Sequence, residues 1–153
     1  MLRMRELRLT TIVVAGAAAA ALGVTTPAQA ATPVVKIVKI YYDSPGSDTR
    51  TNASINGEYF VLKNTTSTSR SLTRWTVRDL ANHVYTFGTF TLGAGKSVTV
   101  HTGKGANTAA NRYWGLGSYV WNNDTDRATL KSAAGTTVHA CAYNSTAVDY
   151  KTC

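Results

Sequence analysis

The chain has 153 residues, with 16 lysines and arginines against 8 aspartates and glutamates, and two cysteines. Its first thirty residues read as an export signal, and the remaining roughly 120 suffice for one domain around one core, with no room for a companion catalytic domain. Setting aside Arg3, Arg5, Arg8 and Glu6 leaves 13 basic and 7 acidic residues, a net charge of +6; that balance suits polyanions, although solubility alone also accounts for it.

The signal consists of the basic start Arg3, Arg5 and Arg8, an alanine-rich apolar run from Thr10 to Val24, and the small residues Ala28-Gln29-Ala30. Cleavage is expected between Ala30 and Ala31. The apolar run is shorter than the roughly 20 residues that span a bilayer, so a retained membrane anchor fits it less well. No second apolar run follows, and the product is expected to be secreted, extracellular and free of the membrane.

Beyond Ala31 strand signals dominate. Val35 to Tyr42 alternates imperfectly, and Tyr59 to Leu62 is a compact apolar run closed by Lys63-Asn64. Leu72 to Asp79 alternates, with Trp75 and Val77 on one face and Arg74, Thr76 and Arg78 on the other. Val84 to Phe87, Ser97 to Thr102, Tyr119 to Trp121, Ala128 to Lys131 and Val138 to Ala142 complete eight candidates. Turn residues separate them: Pro45-Gly46, Asn56-Gly57, Ala81-Asn82, Gly93 to Gly95, Asn122 to Asp124 and Ala134-Gly135. No window carries a sustained helical period, and Ala109-Ala110 suggests one short turn at most. An all-β chain of this size fits a two-sheet β-sandwich, with a closed barrel as the alternative. Trp75, Tyr85, Phe87, Val98, Val100, Trp121 and Leu130 are the expected core.

Gly95-Lys96-Ser97 resembles the end of a phosphate loop. That loop needs another glycine five positions earlier, where Phe90 stands, and a helix afterwards. The Ser97 to Val100 stretch alternates as a strand, so Gly93 to Lys96 reads as a turn entering it. Both cysteines, Cys141 and Cys153, lie in the exported part, and two thiols in an oxidising compartment pair most simply with each other. The bridge ties the final segment onto the last strand and contributes about 3 kcal/mol in the chain-entropy picture. Metal binding is the competing use of the thiols, and twelve positions of separation with no paired histidine disfavour it.

Three stretches, Ile40 to Asp48, Asn56-Gly57-Glu58-Tyr59-Phe60-Val61-Leu62-Lys63-Asn64, and Leu72-Thr73-Arg74-Trp75-Thr76-Val77-Arg78-Asp79, resemble the lamin-tail domain family. Leu92 to Val100 and the Trp121 to Asp124 and Thr129-Leu130 segments are similar to its second half. The resemblance implies an immunoglobulin-like sandwich, in agreement with the pattern of strands, and a non-enzymatic module. Bacterial members of that kind are exported, alone or beside nucleases and other hydrolases. Two departures stand out: Arg74 replaces a glycine common before the family tryptophan, and eukaryotic members lack the cysteine pair. The cysteines point to a secreted subgroup, and a role in nuclear architecture does not carry over to an exported chain.

Asn64 reads as a strand-end residue satisfying backbone groups. Asp43, Asp48, Asn52, Asn56 and Glu58 concentrate oxygen donors that calcium accepts in irregular loops, although their spacing matches no EF-hand; otherwise no cofactor is expected. Asp124 and Asp126 offer a lesser set in a hairpin turn. His83, His101 and His139 belong to no recognisable catalytic constellation, and a hydrolase would have to use acids dispersed along the chain. Lys63, Arg70, Arg74 and Arg78 are the candidate polyanion-binding residues, weighed against an ordinary solvated face. Tyr113 and Trp114 are candidate stacking aromatics for single-stranded nucleic acid, or caps on the sandwich. The expected function is a secreted binding or surface-interaction module; the partner classes in view are a protein, a cell-wall polymer or nucleic acid.

Overall fold

The computed structural model describes residues 31–153; the expected export signal falls on residues 1–30, outside the described residues. In chain order it contains β1 (Val35–Tyr41), α1 (Asn52–Ile55), β2 (Tyr59–Asn64), β3 (Arg70–Ser71), β4 (Thr76–Arg78), β5 (Val84–Thr86), β6 (Thr91–Leu92), β7 (Ser97–His101), β8 (Asn111–Tyr113), β9 (Thr125–Lys131), β10 (Thr137–Asn144) and β11 (Tyr150–Thr152). These form a five-stranded sheet in the order β11-β1-β2-β7-β8, a four-stranded sheet in the order β10-β9-β4-β5, and a two-stranded ribbon, β3-β6.

The alternation of side chains explains the layering. In β2, Phe60, Leu62 and Asn64 are buried while Tyr59, Val61 and Lys63 face outward; in β9, Asp126, Ala128 and Leu130 are buried between more exposed neighbours. Ile37, Ile40, Phe60, Leu62, Val98 and Val100 from the larger sheet meet Val77, Tyr85, Ala128 and Leu130 from the smaller one in a continuous core. Each fully buried Val, Leu, Ile or Phe contributes about 1.5 to 3 kcal/mol. Two open sheets facing each other make an immunoglobulin-like β-sandwich rather than a closed barrel. The expected core residues Tyr85, Phe87, Val98, Val100, Trp121 and Leu130 are all buried.

Trp75 departs from expectation: it is half-buried and packs at the margin of the core instead of between the sheets. Its stretch is not one strand. The Trp75 N–H donates to Leu72 O at 2.9 Å, closing a turn, and Arg74 inside that turn has φ of +66°. Arg74 N–H then donates to Phe87 O at 2.8 Å while Phe87 N–H donates to Trp75 O at 2.9 Å. Two residues thus oppose one, a bulge whose first position is normally glycine. Arg74 thus holds a left-handed backbone conformation of the kind glycine adopts at least cost.

Tyr119 to Trp121, expected as a strand, is irregular, although Val120 and Trp121 are buried. The Val120 N–H donates to the Glu58 carboxylate instead of to a neighbouring strand. Ala109-Ala110 forms a bend, and the one short helix among the described residues is α1, capped by the Thr51 side chain, which accepts the Ser54 N–H. Gly93 to Lys96 is the anticipated turn: Lys96 N–H donates to Gly93 O, with Gly95 at φ +66°. Cys141 in β10 and Cys153 just past β11 form the expected disulfide, with a Cα–Cα distance of 5.9 Å. It joins the outermost strand of one sheet to that of the other.

Candidate binding face

The outer surface of the five-stranded sheet carries an aromatic row that crosses every strand. Because Tyr42, Phe60 and Val100 point into the core, the period of two sends Tyr41, Tyr59 and His101 outward. The register then sets them side by side. Tyr150 pairs with Tyr41, Tyr41 with Tyr59, Tyr59 with His101, and His101 with Tyr113 across the parallel β7-β8 ladder. Ring centroids along the row are separated by 5.7 Å, 5.2 Å, 5.7 Å and 5.0 Å. Such cross-strand pairs each add roughly 0.2 to 1 kcal/mol to a sheet.

Lysines flank the rings. The Lys39 ammonium lies 4.2 Å from the Tyr150 ring centroid, 5.1 Å from that of Tyr41 and 5.8 Å from that of Tyr59, a cation over three π-systems. The neighbouring row reads Thr152, Lys39, Val61, Thr99 and Asn111. Beyond it Lys36 pairs with Lys63, and Lys63 with Ser97. His101 is anchored at both ring nitrogens: Nδ1 donates to Asn56 O at 3.0 Å, and Nε2 lies 3.1 Å from the Asn111 side chain. At the margin the Tyr41 hydroxyl reaches Asp149 at 3.5 Å, and burial, followed by that carboxylate, raises the Tyr41 phenol above its ordinary value.

The anticipated basic face is dispersed. Lys63 lies on β2 of the five-stranded sheet and Arg78 on β4 of the four-stranded one, while Arg70 belongs to the two-stranded ribbon. Arg74 occupies the bulge turn, outside any strand. Two of the arginines are engaged locally: Arg70 Nε donates to Thr66 Oγ1 at 3.4 Å and Arg78 to Asn82 Oδ1 at 3.3 Å. The four do not share a face, because the bulge at Arg74 and the sheet order separate what simple alternation placed together. Of the two candidate aromatics, Tyr113 belongs to the row, whereas Trp114 sets its edge against Phe60, Tyr85 and Trp121 and caps the core.

The candidate calcium donors also part company. Asp43 accepts from Asn123 Nδ2 at 2.9 Å, and Asp48 is exposed. Asn52 bonds the Lys104 backbone on both sides of its amide, at 2.9 and 2.8 Å, as does Asn56 Nδ2 at 3.0 Å. Among the described residues no three His, Cys, Asp or Glu side chains converge as a metal group. The hollow in this segment, of about 520 Å³, is lined by the hydroxyl residues Ser44, Ser47, Thr49, Thr51 and Ser54.

Glu58 is wholly buried. Its Oε2 accepts the Val120 N–H at 2.9 Å, and Oε1 has no partner. Burial pushes its carboxyl up to about 8, against the lowering effect of the Val120 N–H. The two other buried acids are structural. Asp79 accepts the His83 N–H at 2.7 Å and lies 2.6 Å from His83 Nδ1. Asp126 accepts the N–H groups of Leu80, Arg127 and Asn122. Asn64 behaves as expected of a strand end, its amide donating to Thr68, Leu92 and Gly93 carbonyls.

Sequence reading missed Tyr41, Tyr59, His101 and Tyr150. Their outward phase was available from the alternation, but their alignment depends on register, which β1 shifts between Ile37 and Lys39. No curated protein matches the chain. The Lamin Tail Domain family model matches residues 28–145, ending just ahead of β11. With the Asn56 to Asn64 strand entry, the Arg74 bulge and every strand but β11 in the matched stretch, the chain belongs to the lamin tail domain family.

Proposed function

We propose that the protein is an exported, non-catalytic binding module that works through the outer face of its five-stranded sheet. The observation that carries this reading is the aromatic row from Tyr150 to Tyr113 with Lys39 over three of its rings. Aromatic side chains pressed against a lysine on a solvent face combine stacking area with charge, a pairing suited to an extended, charged partner. The engagement of Glu58, Asp79 and Asp126 with backbone N–H groups favours this over a hydrolase built from dispersed acids. The disulfide is compatible with an oxidising location.

The experiment is retention on a panel of matrices: insoluble cell-wall material, immobilised acidic and neutral polysaccharides, and immobilised DNA. Whichever matrix holds the parent, the combined Tyr59→Ser and Lys39→Gln variant loses retention, whereas Arg127→Gln, on the outer face of the four-stranded sheet, keeps it. Undiminished retention of the face variant would exclude this surface.

A further inference from the structure

Resting on the binding-face reading, we infer that the ligand is an acidic polysaccharide, an extended chain of sugar rings bearing carboxylates. The argument begins with what the rings leave open. Tyr41 lies within 25° of coplanarity with Tyr59 and 23° with Tyr150, and His101 within 20° with Tyr113. In these three pairs, at 5.0 to 5.7 Å between centroids, each ring turns a face toward its neighbour, whereas Tyr59 and His101 are tilted by 56°. The end of the row is closed as well. A Cβ added at Gly105 would fall 2.3 Å from the Tyr113 ring, so the backbone there lies against that ring. At the opposite end the Lys39 ammonium sits 4.2 Å from the Tyr150 centroid and 5.8 Å from that of Tyr59, on the inner side of Tyr150, whose outer side stays exposed.

What remains for a partner is chiefly ring edges and phenolic hydroxyls. The edge of an aromatic ring carries the positive part of its quadrupole, so the row attracts oxygen-rich and anionic groups. Lys36, Lys39 and Lys63 lie on the same face and add full positive charge in positions to meet carboxylates. Thr152, Thr99, Asn111 and Ser97 supply donors and acceptors that match sugar hydroxyls. Val61, half-buried in the middle, gives an apolar patch for the C–H side of a sugar ring. Single-stranded nucleic acid shares the charge but needs open ring faces on which bases stack. It also favours arginine for its phosphates, and the charged residues in these three rows are all lysines.

The test is titration of the oxidised protein with polygalacturonate oligomers, a neutral oligosaccharide of the same length and oligothymidylate, at several salt concentrations. Polygalacturonate is expected to bind, to weaken as salt rises, and to exceed both other probes by at least about tenfold. Lys39→Gln with Lys63→Gln should weaken it by about tenfold, while melting as the parent does. Tyr59→Phe, which removes only a hydroxyl, should weaken it by a smaller factor, and Arg127→Gln should leave it unchanged. Tighter binding of oligothymidylate, lost on the same substitutions, would overturn the ligand class and leave the face standing. Equal binding of the neutral oligomer would overturn the role of charge. Binding that ignores all face substitutions, or no binding of any probe at the lowest salt, would overturn the ligand class, and indifference to the face would remove the face as well.

Discussion

Replacing Glu58 by Gln should stabilise the domain, and the gain should appear and disappear with pH in a defined way. Burial raises this carboxyl from 4.5 to about 8 in the folded chain. Below pH 4.5 the group is protonated in both folded and unfolded chains, and the site costs nothing. Between 4.5 and 8 the unfolded chain releases a proton that the folded one retains, so stability falls as pH rises; above 8 the loss is complete and constant. At pH 7 the displaced interval is roughly 2.5 pH units, or about 3 kcal/mol at 1.36 kcal/mol per unit. Glutamine keeps an oxygen for the Val120 N–H and presents its amide where Oε1 now lacks a partner, beside the unpartnered Thr102 hydroxyl. Urea unfolding of parent and variant at pH 4, 6, 7 and 9 isolates the effect as a difference, since the other titrating groups are common to both. The expected difference is near zero at pH 4 and about 3 kcal/mol at pH 7, on the order of 10 °C in melting temperature for a domain of this size. A difference that does not change between pH 4 and 7 would refute the buried, protonated carboxyl.

Arg74→Gly should raise stability by about 1 kcal/mol, because a side chain in the left-handed region costs about 1 to 2 kcal/mol and glycine pays only in the entropy of its unfolded state; a lower melting temperature would mean that the Arg74 side chain contributes more than its backbone costs. Cys153→Ser should destabilise by about 3 kcal/mol, read from thermal melts, and mass spectrometry that finds two free thiols in the oxidised protein would remove the bridge.

How much of this was legible in the sequence depended on whether the signal was local. The compact apolar run Tyr59 to Leu62 announced β2 and the alternation in Ser97 to Val100 announced β7, and that period marked Val98 and Val100 as core. The cysteine pair needed only compartment and parity. The short pieces β3, β6, β8 and β11, of two or three residues each, are shorter than any pattern that periodicity can register, and partners elsewhere in the chain create them. Arg74 misled for a related reason. Nothing in its side chain reports a positive φ, so the continuous alternation from Leu72 to Asp79 put Trp75 too deep and grouped Arg74 with Arg78. The row itself joins residues separated by as many as 109 positions, Tyr41 and Tyr150, through registers that only the folded sheet defines.

The bridge between Cys141 and Cys153 has a consequence for assembly. Strand β11 occupies the flank of β1 through three paired residues and a bond from Cys153 N–H to Val38 O, and among the described residues it has no neighbour on its other side. While the thiols stay reduced, those few hydrogen bonds alone hold so short a strand, and it can detach. The hydrogen-bonding groups along β1 are then open to any other extended chain, the situation in which sheets recruit copies of themselves. Oxidation shuts that flank by fixing the last residue in place, and in the same event it seats Tyr150 beside Tyr41. The bond that guards this flank thus also holds one end of the aromatic row in place.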